Sequence, residues 1–196
     1  MIEKSKKISD FIEQKHSTHG NLVLFHGQPG TGKTQYLKFL IKSHSSNSKK
    51  FIYLPNKVFQ TIDMPSFIDF FSSHEDSILI IEDAESLLIN RESGNASIST
   101  LLNLTEGLLG DALKLKVLCT FNCSISEIDP ALQRKGRLFN SIEFKKLDKN
   151  LANKLFIKNG INKITEEDMT LADILNFEID NGIDSEEKKE KKLDFR

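Results

Sequence analysis

The run Gly27-Gln28-Pro29-Gly30-Thr31-Gly32-Lys33-Thr34 places four residues between two glycines and follows the second with Lys and Thr. Those types at that spacing suit a polyphosphate. Glycines let successive backbone N–H groups turn inward as a nest for a β-phosphate, and a helix starting at once would add its positive end. The Lys33 ammonium would then reach β- and γ-phosphate oxygens, and the Thr34 hydroxyl would sit on a Mg2+ ion. A random chain of this length carries the pattern in roughly 0.7% of cases, so a glycine-rich turn without a ligand is the weaker reading.

A metal-bound polyphosphate also needs carboxylate at the end of a neighbouring strand, to hold the metal's water shell and orient an attacking water. Ile78-Leu79-Ile80-Ile81 runs straight into Glu82 and Asp83. Adjacent acids ending a buried strand would be costly without a cation nearby, the alternative being an acidic turn in solvent. Asn122 ends a later apolar run, and in a parallel sheet its amide would be placed to bond the same water. Arg134 and Arg137 precede another strand. A guanidinium set against a γ-phosphate contributes ~10³–10⁵ in rate; the alternative for these arginines is a local salt bridge. Cys119 and Cys123 are too few for a disulfide framework or a Cys-rich zinc site and are expected in the core and in a turn. His16, His19, His26, His44 and His74 are scattered, and no Ser/His/Asp or Cys/His arrangement is legible.

The elements that must present these groups alternate between strand and helix. Asn21 to His26 is a short apolar strand running into the glycine-rich turn, and Leu37, Leu40, Ile41 and His44 mark the helix that follows. Phe51 to Leu54 is expected as a second strand, Pro55 to Met64 as a loop, Pro65 to Ser73 as a short helix and Ser77 to Ile81 as a third strand. Ile98, Leu101, Leu102, Thr105, Leu108 and Leu109 mark a long amphipathic helix. Leu115 to Phe121 and Ser141 to Phe144 supply the fourth and fifth strands. Apolar strands without alternation, interleaved with helices, imply an α/β fold with a parallel sheet covered on both faces. Ile8, Phe11 and Ile12 predict an opening helix over about 5–16 that docks through this stripe. After residue 146, Leu151, Leu155 and Phe156 suggest one helix and Leu171 to Phe177 another, a reduced lid over 147–182. Residues 183–196, with the run SEEKKEKK, are expected as a frayed or disordered charged tail.

With 196 residues, 38% hydrophobic and 28% charged, the chain has the profile of one folded core with a small appendage. The net charge of −1 provides no overall positive field for nucleic acid or anionic lipid as an obligatory partner. No run approaches the ~18 apolar residues of a membrane span. With so little cysteine, a reducing, cytoplasmic setting is expected.

GQPGTGKT (Gly27–Thr34), ILIIEDAE (Ile78–Glu85), the strand-end Asn122 and DPALQRKGR (Asp129–Arg137) together resemble the AAA ATPases. In order, they look like that family's Walker A, Walker B, sensor 1 and second region of homology. The acid order Glu82-Asp83, the short stretch between the second and third strands, and LLNLTEGLLG (Leu101–Gly110) look most like the mitochondrial Bcs-type AAA chaperones. The resemblance spans roughly residues 8–158. It implies a three-layer P-loop NTPase core of residues 1–146, with a five-stranded parallel sheet in the order 5-1-4-3-2 and a small α-helical lid. It places Glu82 where the family usually has the magnesium-side Asp and Asp83 where it usually has the catalytic Glu. Which of the two polarises the water is open in the sequence. Arg134 and Arg137 match arginines that reach a neighbouring subunit's nucleotide, and Lys135 stands where Pro is usual.

These features lead to an expectation of ATP and Mg2+ as ligands, ATP hydrolysis in a homo-oligomer such as a ring, and a protein partner as the object of the conformational change. Neither an amino-terminal substrate domain nor a membrane anchor is expected, and the loop Pro55 to Met64 has no aromatic-apolar-Gly pore signature. The competing reading is a nucleotide-gated clamp-loader-like switch near DNA. A small-molecule kinase is disfavoured because the arginine pair precedes the fifth strand and the lid has no arginine set.

Overall fold

The computed structural model describes residues 2–14, 20–45, 49–61, 64–88, 96–105, 110 and 112–177. Strands β1 (Leu22–His26), β2 (Phe51–Tyr53), β3 (Ile78–Ile81), β4 (Lys116–Phe121) and β5 (Leu138–Glu143) form one sheet. Its order is β2-β3-β4-β1-β5, with every pairing parallel. This is the expected order, seen from the other edge. Strands β1, β3 and β4 are buried at every position, which is why their sequences are apolar apart from His26, Lys116 and Thr120.

Alternate residues along each strand enter opposite layers. Val23 and Phe25 of β1, Ile78 and Ile80 of β3 and Leu118 of β4 pack with Ile8, Phe11 and Ile12 of α1 (Ile2–Glu13) and with Leu37 and Leu40 of α2 (Lys33–His44). Leu22, Leu24, Leu79, Ile81, Val117 and Cys119 face the other way. They meet Phe59 of α3 (Asn56–Thr61), Phe67 and Phe71 of α4 (Met64–Ser72), Leu87 of α5 (Glu85–Leu88), and Leu101 and Leu104 of α6 (Ala96–Thr105). The result is the expected three-layer α/β sandwich.

Several boundaries differ from the sequence reading, each for a local reason. The opening helix lies at Ile2–Glu13, earlier than 5–16, with its buried stripe Ile8, Phe11 and Ile12 in the second half of the helix. The expected loop Pro55–Met64 contains α3, because Phe59 is driven into the core and its N–H closes a helical turn on the Pro55 carbonyl, 3.0 Å away. Strand β5 begins at Leu138 and not at Ser141. It is an edge strand with mostly half-buried residues, and Asn140-Ser141 breaks its apolar run between Leu138-Phe139 and Ile142. Leu108, Leu109, His16, His19 and the tail 183–196 lie outside the described residues.

One buried charge fastens α1 to the sheet. Lys116 of β4 donates from Nζ to the Ile12 carbonyl at 3.3 Å and to the Gln14 carbonyl, supplying donors to the otherwise unpaired end of α1. Its ammonium also lies 5.4 Å from the Phe11 ring centroid. Burial, aided by the charge of Lys49 and opposed by Asp76, pushes the Lys116 pKa down to about 8.

Packing divides the chain into two compact units, Met1–Gly27 with Lys33–Phe144, and Gln28–Gly32 with Lys145–Arg196. The second unit has its own apolar centre of Ala152, Phe156, Ile161 and Ile174, built from α7 (Lys149–Lys158) and α8 (Leu171–Leu175). Asp148 caps α7, and a reciprocal Thr170–Asp173 box caps α8. Leu147 and Met169 form an antiparallel bridge between the segments that lead into these helices.

Candidate functional site

In the first unit the site grows from the carboxyl ends of β1, β3 and β4. His26 ends β1, is register-paired with Phe121 of β4 and stacks on it, with ring centroids 5.6 Å apart and planes at 13°. The next residue must be glycine. Gly27 has φ of +134°, and a Cβ there would stand 2.1 Å from the Phe144 carbonyl oxygen. Helix α2 starts at Lys33, whose Nζ donates to the Gly27 carbonyl at 2.7 Å. Desolvation lowers the Lys33 pKa, while the carboxylates of Asp83 and Glu85 push it back up. An ammonium in this setting is poised to take a stronger anionic partner.

Beside it, the Thr34 hydroxyl donates to Glu82 Oε1 at 2.7 Å. A hydroxyl and a carboxylate presented together are hard oxygen donors of the kind Mg2+ accepts. Asp83 follows in the left-handed region, φ +50°, with its backbone held on both sides. Its N–H donates to Thr120 Oγ1 at 3.1 Å, and its carbonyl accepts from Asn56 Nδ2. The Asp83 side chain accepts from Asn122 Nδ2 at 3.1 Å, the Asn122 backbone N–H donates to Glu85 Oε1, and the Ala84 N–H donates to the Thr120 carbonyl at 2.9 Å. The turn after β3 is thereby laced to the end of β4.

The structure thus brings together Lys33, Thr34, Glu82, Asp83 and Asn122. Asn56, Thr120 and Glu85 escaped the sequence reading. Thr120 did leave a signal, a hydroxyl within an apolar strand that proves only 1% exposed. Glu85 lies within the run ILIIEDAE, and Asn56 within the predicted loop Pro55 to Met64.

Arg134 and Arg137 are not brought to this cluster. They precede Leu138, which pairs with Leu22 at the amino ends of β5 and β1, so they enter at the opposite end of the sheet from Gly27, Glu82 and Asn122. Arg134 is exposed, whereas Arg137 is half-buried and donates from Nη1 to the Ala131 carbonyl at 2.8 Å. Gln133 stiffens the same segment by donating to the Ile125 and Ile128 carbonyls, both at 3.0 Å. Cys119 is buried, its thiol pushed up to about 12 by desolvation. The Cys123 thiol is also raised, by burial and then by Glu127 and Glu85. Neither is a thiolate nucleophile at neutral pH.

Within the second unit, the turn Gln28–Gly32 is closed by the Thr31 hydroxyl, which donates to the Gln28 carbonyl at 2.7 Å. It lies against the first turn of α8, where the Ala172 N–H donates to the Gly30 carbonyl at 3.0 Å. A Cβ on Gly30 would come within 3.1 Å of both Thr170 Oγ1 and Ala172 Cβ.

Among the described residues no helix is long and apolar enough to cross a membrane. Residues 23–146 match the model of the ATPase family associated with various cellular activities (AAA). The chain is 32% identical over 142 residues to the ATPase family gene 2 protein of Saccharomyces cerevisiae, an alignment covering 62% of this chain and 16% of that protein. It is 29% identical over 136 residues to the ATPase histone chaperone YTA7 of the same yeast, covering 62% and 10% respectively. It is 27% identical over 171 residues to the 26S proteasome regulatory subunit 4 homolog of Schizosaccharomyces pombe, covering 78% and 37%. The matched regions are therefore a minor part of each relative's length. On the family match across the strands and acids described above, the chain belongs to the AAA family of ATPases.

Proposed function

We propose that this chain binds ATP with Mg2+ and hydrolyses it, in an oligomer whose subunits complete one another's sites. The observation that carries this reading is the division of labour between adjacent acids: Glu82 bonded to Thr34 at 2.7 Å and Asp83 bonded to Asn122 at 3.1 Å. Glu82 then serves the metal side and Asp83 the water side, in keeping with the acid order by which this stretch resembles the Bcs-type chaperones.

The loop Gly27–Thr34 offers backbone N–H groups and the amino end of α2 to the phosphates, and Lys33 exchanges the Gly27 carbonyl for phosphate oxygens. Thr34 and Glu82 would hold Mg2+. Among the described residues no cluster of three or more His, Cys, Asp or Glu forms, so most of its ligands would be water and phosphate oxygens. Held by Thr34 and Glu82, such an ion would supply charge neutralisation to the phosphates. Asp83 accepts a hydrogen bond from the attacking water, and Asn122 fixes the carboxylate in place. Arg134 and Arg137, at the far end of the sheet, act on the nucleotide of an adjoining subunit. Relatives named as a histone chaperone and as a proteasome regulatory subunit support a protein as the object of the resulting movement.

The test is the ATPase rate per subunit against protein concentration, with Mg2+, for the wild type and Arg134→Ala. The expected result is a specific rate that rises with concentration and is lost in Arg134→Ala while ATP still binds. A concentration-independent rate, unaffected by Arg134→Ala, overturns the shared-site reading.

A further inference from the structure

Asn122 carries two donors that end on two different carboxylates. Its side-chain Nδ2 donates to Asp83 Oδ1 at 3.1 Å, and its backbone N–H donates to Glu85 Oε1. Asp83 and Glu85 flank Ala84, which is fully buried and whose N–H donates to the Thr120 carbonyl at 2.9 Å. The turn after β3 can therefore pivot little about Ala84, and the carboxylates project from a fixed base. Glu85 is the one acid of Glu82, Asp83 and Glu85 that sequence reasoning gave no role.

From this arrangement we infer that Glu85 is a positioning residue, its carboxylate clamping the Asn122 backbone so that the Asn122 amide stays on Asp83. The inference rests on the ATPase reading above for its kinetic consequence, but not for its geometry. A hydrogen bond from a backbone N–H to an ionised carboxylate is charge-assisted and short-ranged. Asn122 is exposed and follows the last residue of β4, where no further strand pairing fixes it. Without the clamp its backbone is free to rotate, and the side-chain amide swings with it. Displacement of a water-orienting group by about 1 Å can cost ~10²-fold in the chemical step. The larger loss falls on kcat, because Lys33 and Thr34 lie on α2 and do not depend on Asn122. The charge that Glu85 places near Lys33 is removed alike in Glu85→Ala and Glu85→Gln, so any change in nucleotide affinity is shared by the two variants while the loss in kcat is not.

The experiment compares wild type, Glu85→Ala and Glu85→Gln, by ¹H–¹⁵N NMR of the nucleotide-free protein and by kcat and the Kd of a fluorescent ATP analogue. In the spectra, Glu85→Ala is expected to shift the Asn122 backbone and side-chain amide signals together and to speed backbone exchange at Asn122. Glu85→Gln, which retains an acceptor oxygen, should restore most of the shift. In turnover, Glu85→Ala should lose ~10–100-fold in kcat with Kd changed less than about threefold, and Glu85→Gln should recover most of that loss. In an Asn122→Ala background, Glu85→Ala should cost little more, since the effect passes through the amide. Asn122 side-chain signals that stay in place in Glu85→Ala overturn the inference, as does an undiminished second loss in the Asn122→Ala background. A wild type that shows the expected spectra but no turnover overturns the ATPase reading and leaves the clamp standing.

Discussion

The two ends of the same parallel sheet are built to different standards. At the carboxyl ends of β1, β3 and β4, Lys33, Thr34, Glu82, Asp83, Asn122 and Glu85 are tied to one another or to nearby backbone. At the amino end of β5, the segment Asp129–Arg137 is firmly folded by Gln133 and Arg137, yet it presents Arg134 to solvent. One end satisfies its charges internally, and the other holds a stiff platform with a charge facing outward. Under the proposed function the chain prepares half of a reaction in itself and the other half for a neighbour, and what the structure contributes to that reading is where the hydrogen bonds terminate.

The largest expected effect tests whether the outward charge belongs to someone else's site. Arg134→Ala should lower the rate by ~10³–10⁵-fold with nucleotide still bound. Asp83→Asn breaks the opposite end, and a loss of ~10²–10⁴-fold in kcat is expected from steady-state assays. Mixing the two inactive variants then sharpens the contrast. Subunits with an intact acid end beside subunits with an intact arginine should regain activity that neither has alone, and a mixture that stays inactive would place both ends in one chain's site.

Smaller effects separate platform from charge. The Lys116 pKa in the folded protein, about 8, lies below its ordinary value of 10.5, so the folded state holds fewer protons between those limits. This group therefore opposes folding most strongly below pH 8, and its penalty is relieved as pH rises towards 10.5. Urea unfolding of wild type against Lys116→Met should show the wild type gaining on the order of 1–3 kcal/mol relative to the variant across that window. Arg137→Ala leaves the Ala131 carbonyl without its donor, and an unfolding free energy lower by about 1 kcal/mol is expected in the same assay.

The acid end was largely legible in the sequence and the arginine end only partly. Gly27, Gly32, Lys33 and Thr34 are recognisable because each type is demanded by the ligand at a fixed spacing, and the apolar run before Glu82 announces a buried strand. Sheet order followed from the family resemblance, not from periodicity, since unbroken apolar strands carry no record of their neighbours. Asn56 and Glu85 were missed because their bonds join residues far apart in the chain, to a backbone carbonyl in one case and a backbone N–H in the other. No pattern of side-chain types encodes a backbone partner. The early half of β5 was missed because an edge strand needs no continuous apolar face.

The left-handed backbone at Asp83 acts as a filter on which acid can stand there. At φ of +50° any Cβ is crowded, and the short side chains of Asp and Asn are the ones that tolerate that region best. Glu82 sits just before this bend and is under no such constraint, so a longer acid is accommodated there; under the proposed roles the metal side receives the longer acid and the water side the shorter. The order Glu82-Asp83 thus agrees with the backbone before any role is given to either acid. Exchanging the acids would keep both charges and yet ask a longer side chain to occupy a bend shaped for a shorter one.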